Sequence, residues 1–227
     1  MGGCSRESCR RSAQGFRVLL WCLLWAMAGT AFVDATSIKA EPSMFFAVAG
    51  YWPFAFWALW RLGRSGAFRE RRGVLRWATG LSIVTAGLSP MAVWWRLFPK
   101  NAVFAYNAAA YAVAGILLMF VLIRLVAAYG AWLDNRSLKG EGTASSTAFA
   151  FVLALVGTAL WFVLRDLPDR SVPALMRYTL QIHPWSRFFA VALLFGVVAY
   201  PVRLAGRAGR HAAEVPALAD VDAGAEE

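Results

Sequence analysis

Asn107 and Tyr111 sit one helical turn apart in an apolar stretch, Ala102 to Ile123 (AVFAYNAAAYAVAGILLMFVLI), which carries no charge. An amide and a phenol one helical turn apart could hold a neutral solute. With kinks expected at Pro53 and Pro90, they form a candidate polar intramembrane site. The simpler role for the pair is a hydrogen bond between helices, worth about 0.6 kcal/mol on average. A second set, Asp166, Asp169 and His183, falls in Arg165 to Trp185 (RDLPDRSVPALMRYTLQIHPW). Two carboxylates and an imidazole could do acid–base chemistry on a lipid headgroup. The plainer role is exposed ion pairing of little energetic weight, with a surface histidine at a helix end. The third set is Arg61, Arg64, Arg69, Arg71, Arg72 and Arg76, against the single Glu70. Each guanidinium near an anionic leaflet contributes about 1 kcal/mol, so anionic lipid headgroups at the cytoplasmic face are the expected partner. The same arginines also orient the chain.

Within that arginine stretch, Gly63-Arg64-Ser65-Gly66 resembles in its letters the GxSG of rhomboid proteases. That serine belongs at a helix end in the membrane, with a histidine base on a neighbouring helix, and neither His183 nor His211 lies in an apolar run. The same lack of an embedded histidine argues against a bis-histidine haem, and no HExxH, Walker A or GxGxxG pattern occurs. No Asp or Glu lies inside an apolar run, so the carboxylate relays of ion-coupled transport are missing. Cys4, Cys9 and Cys22 all lie near the N-terminus, two beside arginines that should face a reducing compartment. Neither a disulfide nor a zinc site is expected there. The reading therefore assigns no catalytic residue, no metal and no cofactor.

The elements that must position these groups are membrane helices. Of 227 residues, 59% are hydrophobic and only 16% charged, far below the usual soluble balance of about 25%. The net charge of +10 would suggest nucleic acid in a soluble chain, but it gathers between apolar runs, as topology requires. About 22 residues at about 1.5 Å each span roughly 33 Å, enough for Ala102 to Ile123 to cross hydrocarbon. Five further runs follow the same logic: Phe16 to Val33, Met44 to Trp60, Trp77 to Trp95, Thr147 to Leu164 and Phe188 to Val202. The first also fits a secretory signal, with its basic front and the Val33-Asp34-Ala35 exit, which would leave five spans.

The fold class expected is thus all-α, a polytopic bundle of six transmembrane helices, or five if the first is a cleaved signal. One short interfacial helix, Val172 to Ile182 after a Ser171 cap, belongs to the last outer loop. Residues 1–15 read as a basic cytoplasmic segment, 16–207 as the helical domain and 208–227 as a disordered cytoplasmic tail. Pro53 should kink the second span near mid-membrane. Hydroxyls of Thr79, Ser82, Thr85 and Ser89 can meet the carbonyl that Pro90 leaves unpaired. Ala105, Ala108, Ala109, Ala112 and Gly115 make a small-residue stripe for helix packing. Arg124 to Ser146, ending in GEGTASS, reads as a mobile loop. Arginine bias puts both termini in the cytoplasm, and the preference for Arg over Lys and the abundant alanine suggest GC-rich coding and a bacterial inner membrane. The function expected is non-enzymatic: an accessory or scaffold subunit binding another membrane protein or lipid. The alternatives are a small uncharged-solute permease or channel, and a membrane enzyme acting on lipid headgroups. No nucleic-acid partner is expected.

Overall fold

The computed structural model describes residues 6–35, 42–69, 71–166, 169, 171–182 and 184–223. Every element among them is a helix: α1 (Arg6–Ala35), α2 (Pro42–Ala49), α3 (Trp52–Arg64), α4 (Arg72–Leu97), α5 (Ala102–Trp132), α6 (Arg136–Asp166), α7 (Val172–Gln181) and α8 (Pro184–Ala223). Four stretches are long and apolar enough to cross a membrane: Arg6–Phe32, Ala102–Trp132, Arg136–Phe162 and Ser186–Glu214. The other two apolar runs miss that standard for separate reasons. One is broken into two short helices, and the other, α4, is diluted by its serines, threonines, glycines, tryptophans and Pro90.

The break in the second run corrects the expected kink. The chain leaves helix at Gly50–Tyr51, and Pro53 lies in the first turn of α3. A proline there gives up only an N–H that would have no intrahelical partner, so it starts a helix where mid-helix it would bend one. Pro90, by contrast, stays inside α4. It leaves the Ala86 carbonyl without its usual amide, and the Ser89 hydroxyl donates to that oxygen at 2.8 Å. Thr79, Ser82 and Thr85 likewise donate to Leu75, Ala78 and Leu81, each one turn earlier on the same helix.

The loop expected from Arg124 to Ser146 is instead the closed end of a helical hairpin. α5 continues to Trp132, three residues turn the chain, and α6 starts at Arg136. Asp134 takes a left-handed φ of 52°, and the Asn135 side chain accepts from the Leu138 amide at 3.0 Å to cap α6. The glycines that suggest mobility serve contact. A Cβ on Gly142 would stand 2.8 Å from the Ala127 Cβ, and one on Gly130 would stand 2.8 Å from the Lys139 nitrogen. Small residues thus let two backbones meet, as close helix packing requires.

The main core lies at this same end of the molecule. Phe16, Leu62, Phe68, Ile123, Leu125, Val126, Tyr129, Val198 and Val202 are all buried there. Phe16 packs on Tyr129 with ring centroids 4.9 Å apart, and Phe68 stacks on the same tyrosine at 6.2 Å. Tyr129 Oη faces Ser12 Oγ, yet neither atom closes a hydrogen bond of normal geometry. α1 and α8 pair along this end, with Gly209 set against Tyr129 and Ala13.

Two domain boundaries fall inside helices. α1 is helical from Arg6, with Cys9, Ser12 and Ala13 already buried, so residues 6–15 pack with the rest of the bundle, and 1–5 lie outside the described residues. Where a disordered tail is expected from residue 208, α8 stays helical to Ala223, as its many alanines favour. Cys22 is free and buried, but Cys9 is disulfide-bonded, against the expectation from compartment. The helix expected after Ser171 is present, with its hydroxyl accepting from the Ala174 amide at 3.3 Å.

The outer surface is greasy. Trp77, Trp161 and Phe189 are each about two-thirds exposed, at 69%, 68% and 66%. A water-facing surface rarely shows so many contiguous large apolar side chains. With four helices of spanning length, the chain is built as an all-helical protein compatible with integral membrane insertion.

Candidate functional site

A cavity of about 270 Å³ opens among α1, α3, α4, α5 and α8. Its walls run from Leu19 to Thr30 on α1 and from Tyr111 to Leu122 on α5, each about 16 Å of helix rise. The two helices are antiparallel, since Phe16 meets Tyr129 while Thr30 and Tyr111 share the far end of the cavity. That geometry sorts the lining. Leu19, Leu23, Met119 and Leu122 wall the end nearest the core and Thr30 and Tyr111 the other, with Cys22, Tyr51 and Trp52 clustered between them.

The polar part is built by the break between α2 and α3. Tyr51 lies in the break itself and Trp52 opens α3, their rings 4.6 Å apart. The Cys22 thiol donates to the Tyr51 carbonyl at 3.7 Å, an oxygen that also accepts from the Ala55 amide at 3.0 Å as α3 begins. Tyr51 and Tyr111 bring their hydroxyls together. Trp52 is only 5% exposed, and its indole N–H has no hydrogen-bond partner. Buried donors are nearly always paired.

The arginine stretch builds a second concavity, of about 310 Å³, between the end of α3 and the start of α4. Arg64, Arg69, Arg72 and Arg76 line it, with Gly63, Gly66, Phe68 and Leu75. The turn that carries them is fixed from beneath. Gly66 takes a φ of +77°, Phe68 is 2% exposed against Tyr129, and buried Ser65 donates to the Leu62 carbonyl at 2.7 Å while accepting from the Ala67 amide. Ser65 is therefore a turn residue, with both its hydroxyl interactions inside the turn. Arg64 lies over the Trp60 ring at 4.3 Å and Arg61 over Trp57 at 4.9 Å. Arg61 also donates to the Gln14 side-chain oxygen at 3.0 Å and turns away from the pocket. Arg71 is exposed at the N-terminus of α4.

The remaining candidate residues scatter. Asn107 donates back to the Val103 carbonyl at 2.8 Å and does not join Tyr111 at the cavity. Pro53 is exposed and Pro90 half-buried, and neither lines the cavity. Ala105 and Ala108 are buried and Ala109 half-buried, whereas Ala112 and Gly115 line the cavity. Asp169 accepts from the Ser171 hydroxyl at 2.8 Å, His183 lies outside the described residues, and of the Asp166 side chain nothing is described. Cys22, Tyr51 and Trp52 were not singled out from the sequence, where an aromatic-rich run gives no sign of a helix break. Among the described residues no cluster of His, Cys, Asp or Glu could hold a metal ion. No family model matches the chain, and neither a curated protein nor a solved structure does.

Proposed function

We propose that the chain is a non-enzymatic, multi-pass protein of a bacterial cytoplasmic membrane, an accessory or scaffold subunit that holds anionic lipid at its cytoplasmic face and docks there to another membrane protein. In this reading α2–α3 and α4 cross the bilayer beside the four long apolar helices, giving six passes. Both termini are cytoplasmic, and α7 lies along the outer interface. What supports the placement of α4 is its 26 residues, about 39 Å of rise, and its exposed Trp77, Ile83, Val84 and Trp94. For α7, the support is a short amphipathic helix whose Ala174 is buried while Arg177 is exposed.

The observation that carries the reading is the arginine-lined concavity on a pinned turn. Four guanidiniums around one hollow suit phosphate oxygens, which Arg grips bidentately and Lys only as a point charge. The test exploits that difference. Converting Arg64, Arg69, Arg72 and Arg76 together to lysine keeps the positive charge that sets orientation. In nanodiscs of mixed phosphatidylglycerol and phosphatidylcholine, native mass spectrometry should find phosphatidylglycerol enriched on the wild type and much less so on the lysine variant. Equal enrichment on both, or none on the wild type, would refute the headgroup role.

One observation favours the alternative of a permease for small uncharged solutes: the helix break at Gly50–Tyr51 sits beside the cavity, as broken helices do in transporters. Single cysteines at Asn107, Tyr111 and Pro90 would decide it. A continuous water-accessible path along them supports a permease, and uniform protection from aqueous maleimide removes it.

A further inference from the structure

The cavity among α1, α3, α4, α5 and α8 has a character that the arginine pocket does not share. None of its lining residues is charged, so it offers nothing to neutralise a phosphate or an ammonium. It is long and narrow, roughly 16 Å along two helices, and its volume lies near the lower end of the roughly 300–1,000 Å³ usual for ligand sites. Apolar cavities stay dry, and on the membrane placement proposed above the molecules that reach this one are hydrocarbon.

The lining is nonetheless asymmetric. The Trp52 indole N–H has no partner, but its nitrogen is sealed by neighbouring atoms and is not reached from the cavity. The adjacent hydroxyls of Tyr51 and Tyr111 hold two protons between them, and a bond from one to the other uses a single proton. One donor is thus left for a guest, and no lining residue beside it is charged. A Cβ on Gly115, midway along the cavity, would meet nothing within 4 Å. The helix with the most small residues therefore leaves space here in place of a close contact.

We infer that this cavity binds one hydrocarbon chain of a neutral membrane lipid, the chain lying along α1 and α5 and a carbonyl or hydroxyl oxygen of the lipid accepting from the Tyr51–Tyr111 hydroxyl pair. An anionic lipid is disfavoured because its phosphate would lose water without gaining a cation. A bare alkane fills the space but leaves the spare hydroxyl proton unpaired. The inference rests on the membrane placement and is independent of the arginine pocket.

The test uses the full chain in nanodiscs with two photoprobes of equal chain length: a monoacylglycerol carrying a diazirine in its acyl chain, and an alkane carrying the same diazirine. Cross-linked peptides read out by mass spectrometry should concentrate on residues 111–122 and 191–195 for both probes. Gly115→Phe, which puts a ring into the cavity, should abolish that labelling. The double variant Tyr51→Phe with Tyr111→Phe keeps both rings and removes the hydroxyl donors; it should weaken monoacylglycerol labelling by about three- to tenfold, the equivalent of one hydrogen bond, and leave alkane labelling unchanged. The lysine variant of the arginine pocket should label as the wild type does, so failure of the headgroup reading is seen separately. If Gly115→Phe elutes aggregated, the tyrosine-variant comparison of the two probes decides alone. Labelling of folded Gly115→Phe equal to wild type, an equal effect of the tyrosine variant on both probes, or label spread evenly over outward residues such as Trp161 and Phe189 would overturn the inference.

Discussion

Gly140 and Gly142, two residues apart at the start of α6, should respond to alanine with opposite signs. Glycine in a helix interior is about 1 kcal/mol worse than alanine, because it loses more backbone freedom on folding. At Gly140, where a Cβ would meet nothing within 4 Å, Gly140→Ala should collect that gain and stabilise by about 1 kcal/mol. At Gly142 the added carbon would stand 2.8 Å from the Ala127 Cβ, 3.0 Å from its Cα and 3.2 Å from its nitrogen. Ordinary contact starts near 3.4 Å, a shortfall of 0.6 Å from the 2.8 Å distance. Two of the three atoms are backbone, so no rotamer change relieves it, and α5 and α6 must part. Overpacking of this kind costs about 1–3 kcal/mol, which cancels or exceeds the propensity gain. The two variants should therefore differ by about 1–3 kcal/mol, with Gly142→Ala the weaker. Equilibrium unfolding in mixed micelles, followed by circular dichroism, measures the difference. If both substitutions raise stability by similar amounts, residues 140–146 are not packed against α5, and the hairpin argument fails with them.

Three further substitutions probe the same end of the molecule. Phe68→Ala removes a buried ring stacked on Tyr129 and should cost about 3–5 kcal/mol, with limited proteolysis cutting the turn between Ser65 and Arg71 in the variant and sparing the wild type. Gly209→Ala puts a carbon 2.5 Å from Tyr129 Oη and should destabilise; Tyr129→Phe, which removes an oxygen with no formed hydrogen bond, should be close to neutral alone and rescue part of that loss in a double-mutant cycle. Ser89→Ala should cost about 1 kcal/mol by orphaning the Ala86 carbonyl, and in a Pro90→Ala background the same change should cost almost nothing, since the restored amide takes over; micelle unfolding of the four combinations gives the coupling.

The presence of long apolar helices was legible because membrane insertion sums side-chain transfer energies, and a sum is insensitive to order. Where helices end depends on neighbours, and there the composition misleads. GEGTASS has the letters of a loop, yet Gly142 is a contact and Ser146 donates back to the Gly142 carbonyl at 2.9 Å. Pro53 reads as a kink, yet the chain turns at Gly50–Tyr51, before the proline is reached, and Pro53 falls in the first turn of a new helix. The role of Ser89 was readable because it answers a local question, which nearby donor replaces the one proline lacks. The arginines could be named individually. That four of them ring one hollow depends on Phe68 reaching Tyr129, about sixty residues further along the chain. A cavity is the least legible feature, because it consists of what fails to arrive opposite Ala112 and Gly115.

The fold joins a tight end to a loose one, and the two candidate sites divide along that line. Four glycines at the tight end stand against a neighbour, Gly15 against Leu62, Gly130 against Leu138, Gly142 against Ala127 and Gly209 against Tyr129, while Gly66, Gly73 and Gly140 there do not; at the other end Gly29 meets Ala47. Gly115, Gly157 and Gly196, on the opposite halves of α5, α6 and α8, have no atom within 4 Å of an added Cβ. Close packing at one end holds the arginine turn in a fixed shape, which a site for a charged headgroup requires, since misplaced guanidiniums lose bidentate geometry. Loose packing at the other end leaves volume for hydrocarbon, which needs space and little orientation. One polar cluster persists beside that space, where the Cys22 thiol donates to a Tyr51 carbonyl that also accepts from the Ala55 amide. A substitution scan of the glycines should follow the same division, with large residues tolerated at Gly157 and Gly196 and rejected at Gly130 and Gly142.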